Sequence, residues 1–171
     1  MFFDRDGVLN CAVVRDGKPY PPSSLMEVKI LPETLDALQK LAYRGYLMLG
    51  ITNQPDVARG TQTRAVVEKI NELVLSRLPI REIFTCFHDT ADACDCHKPK
   101  PGLIFQAAKN YGVDLSLSWM VGDRWKDIAA GKSAGVRTVF IDYHYGEAFQ
   151  GDPADFVVEG IAQVAQVILK G

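Results

Sequence analysis

Apolar residues along this chain follow two alternating rhythms. Compact runs at residues 1–3, 46–51, 82–87, 119–121 and 136–141 read as buried strands. Between them a helical rhythm recurs. Leu35, Leu38, Leu41 and Ala42 share one face over 33–44, where Pro32 is placed to open a helix and Gly45 to close it. Val66, Val67, Ile70, Leu73 and Val74 share a face over 63–77, and further helices are predicted over 103–111, 125–134 and 161–169. Strands alternating with helices predict an α/β domain with a mostly parallel sheet. The stretches 11–30, 87–101 and 143–154 carry neither rhythm and are expected to be irregular.

Polar residues cluster where the predicted strands end: Asp4 and Asp6 after the first, Thr52 and Asn53 after the second, Asp123 after the run at 119–121. In open α/β sheets the carboxyl ends of the strands form the ligand crevice, so these groups are expected to share one edge. Asp4-Arg5-Asp6-Gly7 alone reads equally as a surface turn. Val121-Gly122-Asp123 repeats the pattern of apolar strand followed by acid, and together these carboxylates suit Mg²⁺ with a substrate phosphate. Thr52 offers a hydroxyl to a phosphate oxygen. Lys98, in His97-Lys98-Pro99-Lys100-Pro101-Gly102, offers a cation on a proline-stiffened turn.

Length and charge narrow the classes. With 171 residues, one domain spanning 1–171 is expected. Nineteen basic against 21 acidic residues leave a net charge of −2, which argues against nucleic-acid or membrane-surface binding. No apolar stretch approaches the roughly 20 residues a membrane span needs, and no basic-then-apolar leader opens the chain. A cytoplasmic monomer acting on a small molecule is the expectation.

Three of the four cysteines gather with a histidine in Cys86-Phe87-His88 and Cys94-Asp95-Cys96. Three thiols and an imidazole form a closed set for structural Zn²⁺. Buried thiols or a Cys94–Cys96 disulfide are the plainer readings.

Four segments then carry a resemblance: Phe3-Asp4-Arg5-Asp6-Gly7-Val8-Leu9-Asn10, Ile51-Thr52-Asn53-Gln54, Lys98-Pro99-Lys100-Pro101-Gly102 and Gly122-Asp123-Arg124-Trp125-Lys126-Asp127. In order and spacing they resemble the motifs of the haloacid dehalogenase (HAD) phosphohydrolase superfamily, from Phe3 to about Asp142. The resemblance implies a Rossmann-like three-layer fold. It implies Asp4 as the nucleophile that becomes an aspartyl-phosphate and Asp6 as general acid and base. Mg²⁺ would sit on Asp4, Asp6 (through its backbone carbonyl) and Asp123, with Thr52 and Lys98 on the transferring phosphate. Asp127 would orient Lys98 or a metal-bound water, its plainer reading being a solvated helix residue.

The cysteine-histidine loop directly before Lys98 resembles the branch holding heptose-1,7-bisphosphate and histidinol-phosphate phosphatases, whose zinc loop is structural. Too few residues separate Asp6 from Thr52 for a large cap domain, so loops are expected to shape the pocket. Val57-Ala58-Arg59-Gly60 resembles the heptose enzymes. Pro55-Asp56 and His97 depart from the family pattern, which has Ser-Gly and Arg there. Asn53, Arg59 and Arg124 are left as candidate substrate-binding groups. Histidinol-phosphate hydrolysis, phosphotransfer to another acceptor and a non-catalytic metal-stabilised binding module are the rival readings.

Overall fold

A computed structural model describes residues 1–170. Its centre is a six-stranded sheet of β1 (Phe2–Phe3), β4 (Leu49–Asn53), β5 (Glu82–Cys86), β6 (Trp119–Gly122), β7 (Arg137–Ile141) and β8 (Phe156–Val158). The order is β5-β4-β1-β6-β7-β8, and every neighbouring pair is parallel. Two residues suffice for β1 because it is central. Phe2 faces Leu49 on one side and Met120 on the other; Phe3 faces Gly50 and Val121.

Alternation along β1 sends its two phenylalanines into two cores. Phe3 packs with Leu38 and Leu41 of α1 (Pro32–Tyr43), Val74 of α2 (Arg64–Arg77), and Val164 and Ile168 of α5 (Ile161–Lys170). Phe2 packs with Ile104 and Ala107 of α3 (Gly102–Tyr111) and Ala130 of α4 (Trp125–Ser133). Helices on both faces of the sheet make the three layers expected of the pattern.

The chain builds outward from β1 through β4 to β5, then crosses to β6 and builds the other way. Order therefore reverses between β1 and β6, which is where such sheets open a crevice. Asp4 directly follows β1 and Asp123 directly follows β6.

Three strands fall outside the sequence expectation. Within 11–30, β2 (Val13–Arg15) and β3 (Lys18–Tyr20) form an antiparallel hairpin. Asp16 and Gly17 turn it with φ of 50° and 71°, the left-handed pair that a two-residue hairpin turn needs. The three-residue β8 at the sheet edge is the third. The predicted strand over 46–51 starts later, at Leu49, because Tyr46 N–H donates to Leu41 O and closes the end of α1.

Phe2→Ala removes a side chain buried without remainder against β4, β6 and α3. It is expected to cost about 3–5 kcal/mol, read from urea unfolding against wild type.

Candidate active site

A cleft of about 460 Å³ lies over the carboxyl ends of β1, β4 and β6. Asp4, Asp6, Thr52, Lys98 and Asp127 line its floor; Lys18, Tyr20, Asp56, Arg59, His97, Arg124, Lys126 and Glu147 stand around it. The hairpin covers part of the mouth, and Gly146 N–H donates to Gly17 O at 3.0 Å to join hairpin and opposite rim.

Lys98 organises the floor. Its Nζ donates to Asp4 Oδ1 at 2.5 Å, Asp127 Oδ1 at 2.6 Å and Ile51 O at 2.9 Å, so all three ammonium protons are placed. Burial alone would pull this lysine down, yet Asp127 and Asp4 outweigh it and hold its pKa above the usual value. Asp127 also caps α4, its Oδ2 accepting from Arg124 N–H at 3.0 Å. The expected solvated alternative for Asp127 does not apply, since it is buried.

Acids outnumber this one cation. Burial pushes Asp4 up to about 7 against the pull of Lys98, with Asp127 and Asp6 adding to the rise. Burial, then Asp4 and Asp127, raises Asp123 well above the carboxylate range. Both oxygens of Asp123 are buried and make no close hydrogen bond, although the Tyr145 hydroxyl stands near enough, with Lys98, to offset part of the rise. A buried carboxylate beside two others is costly, and oxygens of Asp4, Asp123 and Asp127 lie within 4.8 Å of one another. The donor set fits a small, hard divalent cation such as Mg²⁺.

Asp6 points elsewhere. Arg5 donates to it from Nε and Nη2 at 3.1 and 2.9 Å, Asn10 Nδ2 at 3.0 Å and Gln54 Nε2 at 2.7 Å. Its side chain is therefore not in the carboxylate cluster, in keeping with a metal contact through its backbone only. Gln54 also donates to Thr52 Oγ1 at 3.0 Å. Sequence reasoning gave Gln54 and Arg5 no task, although both lie inside the motifs.

The second cluster joins Cys86 at the end of β5 to the loop that follows it. Sulfur separations of 3.1 Å for Cys86–Cys96, 3.4 Å for Cys94–Cys96 and 3.7 Å for Cys86–Cys94 are too long for a disulfide of about 2.05 Å. His88 Nδ1 lies 3.3 Å from Cys96 Sγ. Four such donors facing one point fit Zn²⁺. The loop delivers Lys98 two residues on, and the Lys98–Pro99 peptide is cis.

The family model described as haloacid dehalogenase-like hydrolase covers residues 23–135. The D-glycero-beta-D-manno-heptose-1,7-bisphosphate 7-phosphatase of Pseudomonas aeruginosa is 33% identical, over 99% of this chain and 97% of the relative. The enzyme of the same name from Escherichia coli K12 is 29% identical, over 99% and 93%. A D-glycero-alpha-D-manno-heptose-1,7-bisphosphate 7-phosphatase from Photorhabdus laumondii is 33% identical, over 82% and 80%. The crystal structure of D,D-heptose 1,7-bisphosphate phosphatase from B. bronchiseptica, complexed with magnesium and phosphate, superposes with a TM-score of 0.84 at 30% identity, over 99% and 97%.

The chain belongs to the haloacid dehalogenase-like hydrolase family.

Within this HAD frame the three substrate-binding expectations meet different surroundings. Asn53 borders the cleft, but its carboxamide holds the Lys98 backbone at both ends, accepting from Lys98 N–H at 3.1 Å and donating to Lys98 O at 3.0 Å. Arg59 forks onto Asp89 at 2.7 and 2.8 Å and reaches Asp56 at 3.3 Å. Arg124 forks onto Glu147 at 2.7 and 2.8 Å. Those carboxylates lie 30 and 23 positions away in sequence, and no local pattern announced them. His97 borders the cleft with Nδ1 3.0 Å from His88 O, and burial lowers its pKa.

Gly7 is the tightest backbone position here. It has φ +99°, and a β-carbon on it would fall 1.9 Å from Asp123 Oδ2. Gly7→Ala is expected to lower Tm by several degrees and to displace Asp123, measured by thermal melts with and without Mg²⁺; wild type should gain more from the ion than the variant.

Proposed function

We propose that the chain is a Mg²⁺-dependent phosphomonoesterase that removes the 7-phosphate of D-glycero-D-manno-heptose 1,7-bisphosphate. The buried Asp123, without a cation and set against Asp4 and Asp127, whose side chains line the cleft, is the observation that carries the chemistry. Full-length similarity to heptose bisphosphate phosphatases supports the substrate.

Asp4 attacks phosphorus in line, forming an oxygen–phosphorus bond as the bond to the sugar oxygen breaks. Asp6 gives its proton to that leaving oxygen. Water then attacks the aspartyl-phosphate, Asp6 takes a proton from it, and inorganic phosphate leaves with the Asp4 carboxylate restored. Asp4, Asp123 and the Asp6 backbone carbonyl would hold Mg²⁺, which supplies positive charge to the phosphate and to the crowded carboxylates. Lys98 supplies a second positive charge, Asp127 keeps it aimed, and Thr52 holds a phosphate oxygen. Arg59 and Arg124, with Asn53 behind Lys98, shape the end of the pocket that takes the remainder of the substrate. Zn²⁺ on Cys86, His88, Cys94 and Cys96 braces the loop that carries Lys98.

Phosphate release from the heptose bisphosphate, set against histidinol phosphate, is the deciding assay. Faster turnover of histidinol phosphate would overturn the substrate assignment. Asp4→Asn keeps the shape and loses the nucleophile, so kcat should fall by about 10³-fold or more while the melting curve persists. Near-normal turnover in that variant would remove the covalent mechanism.

Elemental analysis should find about one zinc per chain, and Cys94→Ala should lose the metal together with several degrees of Tm. Arg59→Ala should raise KM for the bisphosphate about tenfold or more while changing KM for p-nitrophenyl phosphate by less than about twofold. Equal effects on both would show that Arg59 does not bind the distal end.

A further inference from the structure

Arg5 is a fully buried charge to which the chemistry above gives no task. Its Nε and Nη2 grip the two oxygens of Asp6, while Nη1 donates to Asn71 Oδ1 at 2.7 Å. Asn71 lies on α2, and its Nδ2 donates to Thr85 Oγ1 of β5 at 3.0 Å. A continuous line of hydrogen bonds thus runs from the sheet through α2 and Arg5 to the carboxyl at the cleft floor.

The donors to Asp6 are not equivalent. Asn10 and Gln54 each reach one oxygen. Arg5 alone reaches both, and a planar fork on two oxygens fixes the plane of a carboxyl where a single donor leaves it free to turn. A carboxylate ringed by four donors has no oxygen lone pair left for a proton, so one donor must withdraw when Asp6 carries one. A single carboxamide contact is the easier one to give up. Arg5, backed by Asn71, stays.

We propose that Arg5, steadied by Asn71, is a positioning residue: it holds the Asp6 carboxyl in the orientation from which a proton passes to the leaving oxygen. The proposal rests on the proton-donor role given to Asp6 above. Leaving groups separate this from mere structural support. p-Nitrophenolate departs without a proton, whereas a sugar alkoxide needs one.

The experiment compares kcat/KM on the heptose bisphosphate and on p-nitrophenyl phosphate for wild type, Asp6→Asn, Asn71→Leu and Asn71→Asp, with Tm and zinc content recorded for each. That ratio reports the step that expels the leaving group and not the later attack by water, in which Asp6 is the base for either substrate. Asn71→Leu should lower the rate on the sugar phosphate about tenfold and on p-nitrophenyl phosphate by less than about twofold. Asn71→Asp keeps an acceptor for Arg5 and should recover the sugar-phosphate rate. Arg5→Lys loses the fork and should fall further in the same direction; should it fail to fold, the Asn71 pair still decides. Equal losses on both substrates in Asn71→Leu, or no recovery in Asn71→Asp, would overturn the proposal. If Asp6→Asn itself loses equally on both, the proton-donor role fails and takes the proposal with it. A leaving-group-dependent loss in Asp6→Asn without one in Asn71→Leu overturns the proposal alone.

Discussion

One ammonium group between two carboxylates sets the architecture of this site. Lys98 is buried, and so are Asp4 and Asp127 beside it. Removing Lys98 strands two carboxylates away from water, at a cost of several kcal/mol, whereas losing either acid leaves the other paired with the ammonium. The three come from distant places: the end of β1, the zinc loop and the first turn of α4. Their meeting ties the switch point of the sheet to the helix and loop around it. With Asp123 adjacent, three carboxylates meet one ammonium, which leaves the site two positive charges short when all are ionised.

That dependence explains the scaffolding behind Lys98. A lysine side chain is flexible, so its aim depends on where its backbone is held. Asn53 holds that backbone from β4. The cysteine-histidine cluster pins the loop two residues upstream, and Gly102 lets α3 begin against it, since a β-carbon there would lie 2.2 Å from Asp95 O. Arg59 extends the frame by joining the loop after β4 to Asp89 of the zinc loop. The cysteine-histidine cluster thus bears on the floor of the cleft through the position of one side chain.

The sequence made these floor residues visible because each stands at the end of a compact apolar run, and topology brings such ends together without further information. The helices were legible for a similar reason: a face such as Leu38 and Leu41 repeats locally. The rim was not. Glu147 and Asp89 find their arginines only after folding, and nothing near Arg124 or Arg59 in the chain predicts that their forks are already engaged. Asn53 is expected at the crevice because it ends a strand, and it does border the cleft, but its carboxamide is spent on the Lys98 backbone 45 positions away, which no local pattern carries. The hairpin over the cleft was different again. Asp16-Gly17 is a strong turn signal that an irregular reading of 11–30 passes over. Pro19 is tolerated in the strand that follows because that strand belongs to a two-stranded hairpin, whereas it would break a central strand.

The slightness of that hairpin bears on what kind of transfer the fold favours. A few residues, joined to the opposite rim through Gly146 and Gly17, make an awning rather than a door. Enzymes roofed by a separate domain must swing it on each cycle, on microsecond to millisecond scales, and can shut out solvent while a chosen acceptor is inside. Here the mouth stays wet. Under the proposed mechanism, a phosphoryl group on Asp4 would meet solvent sooner than a second metabolite, which favours its release as free phosphate and one-way traffic through the cleft.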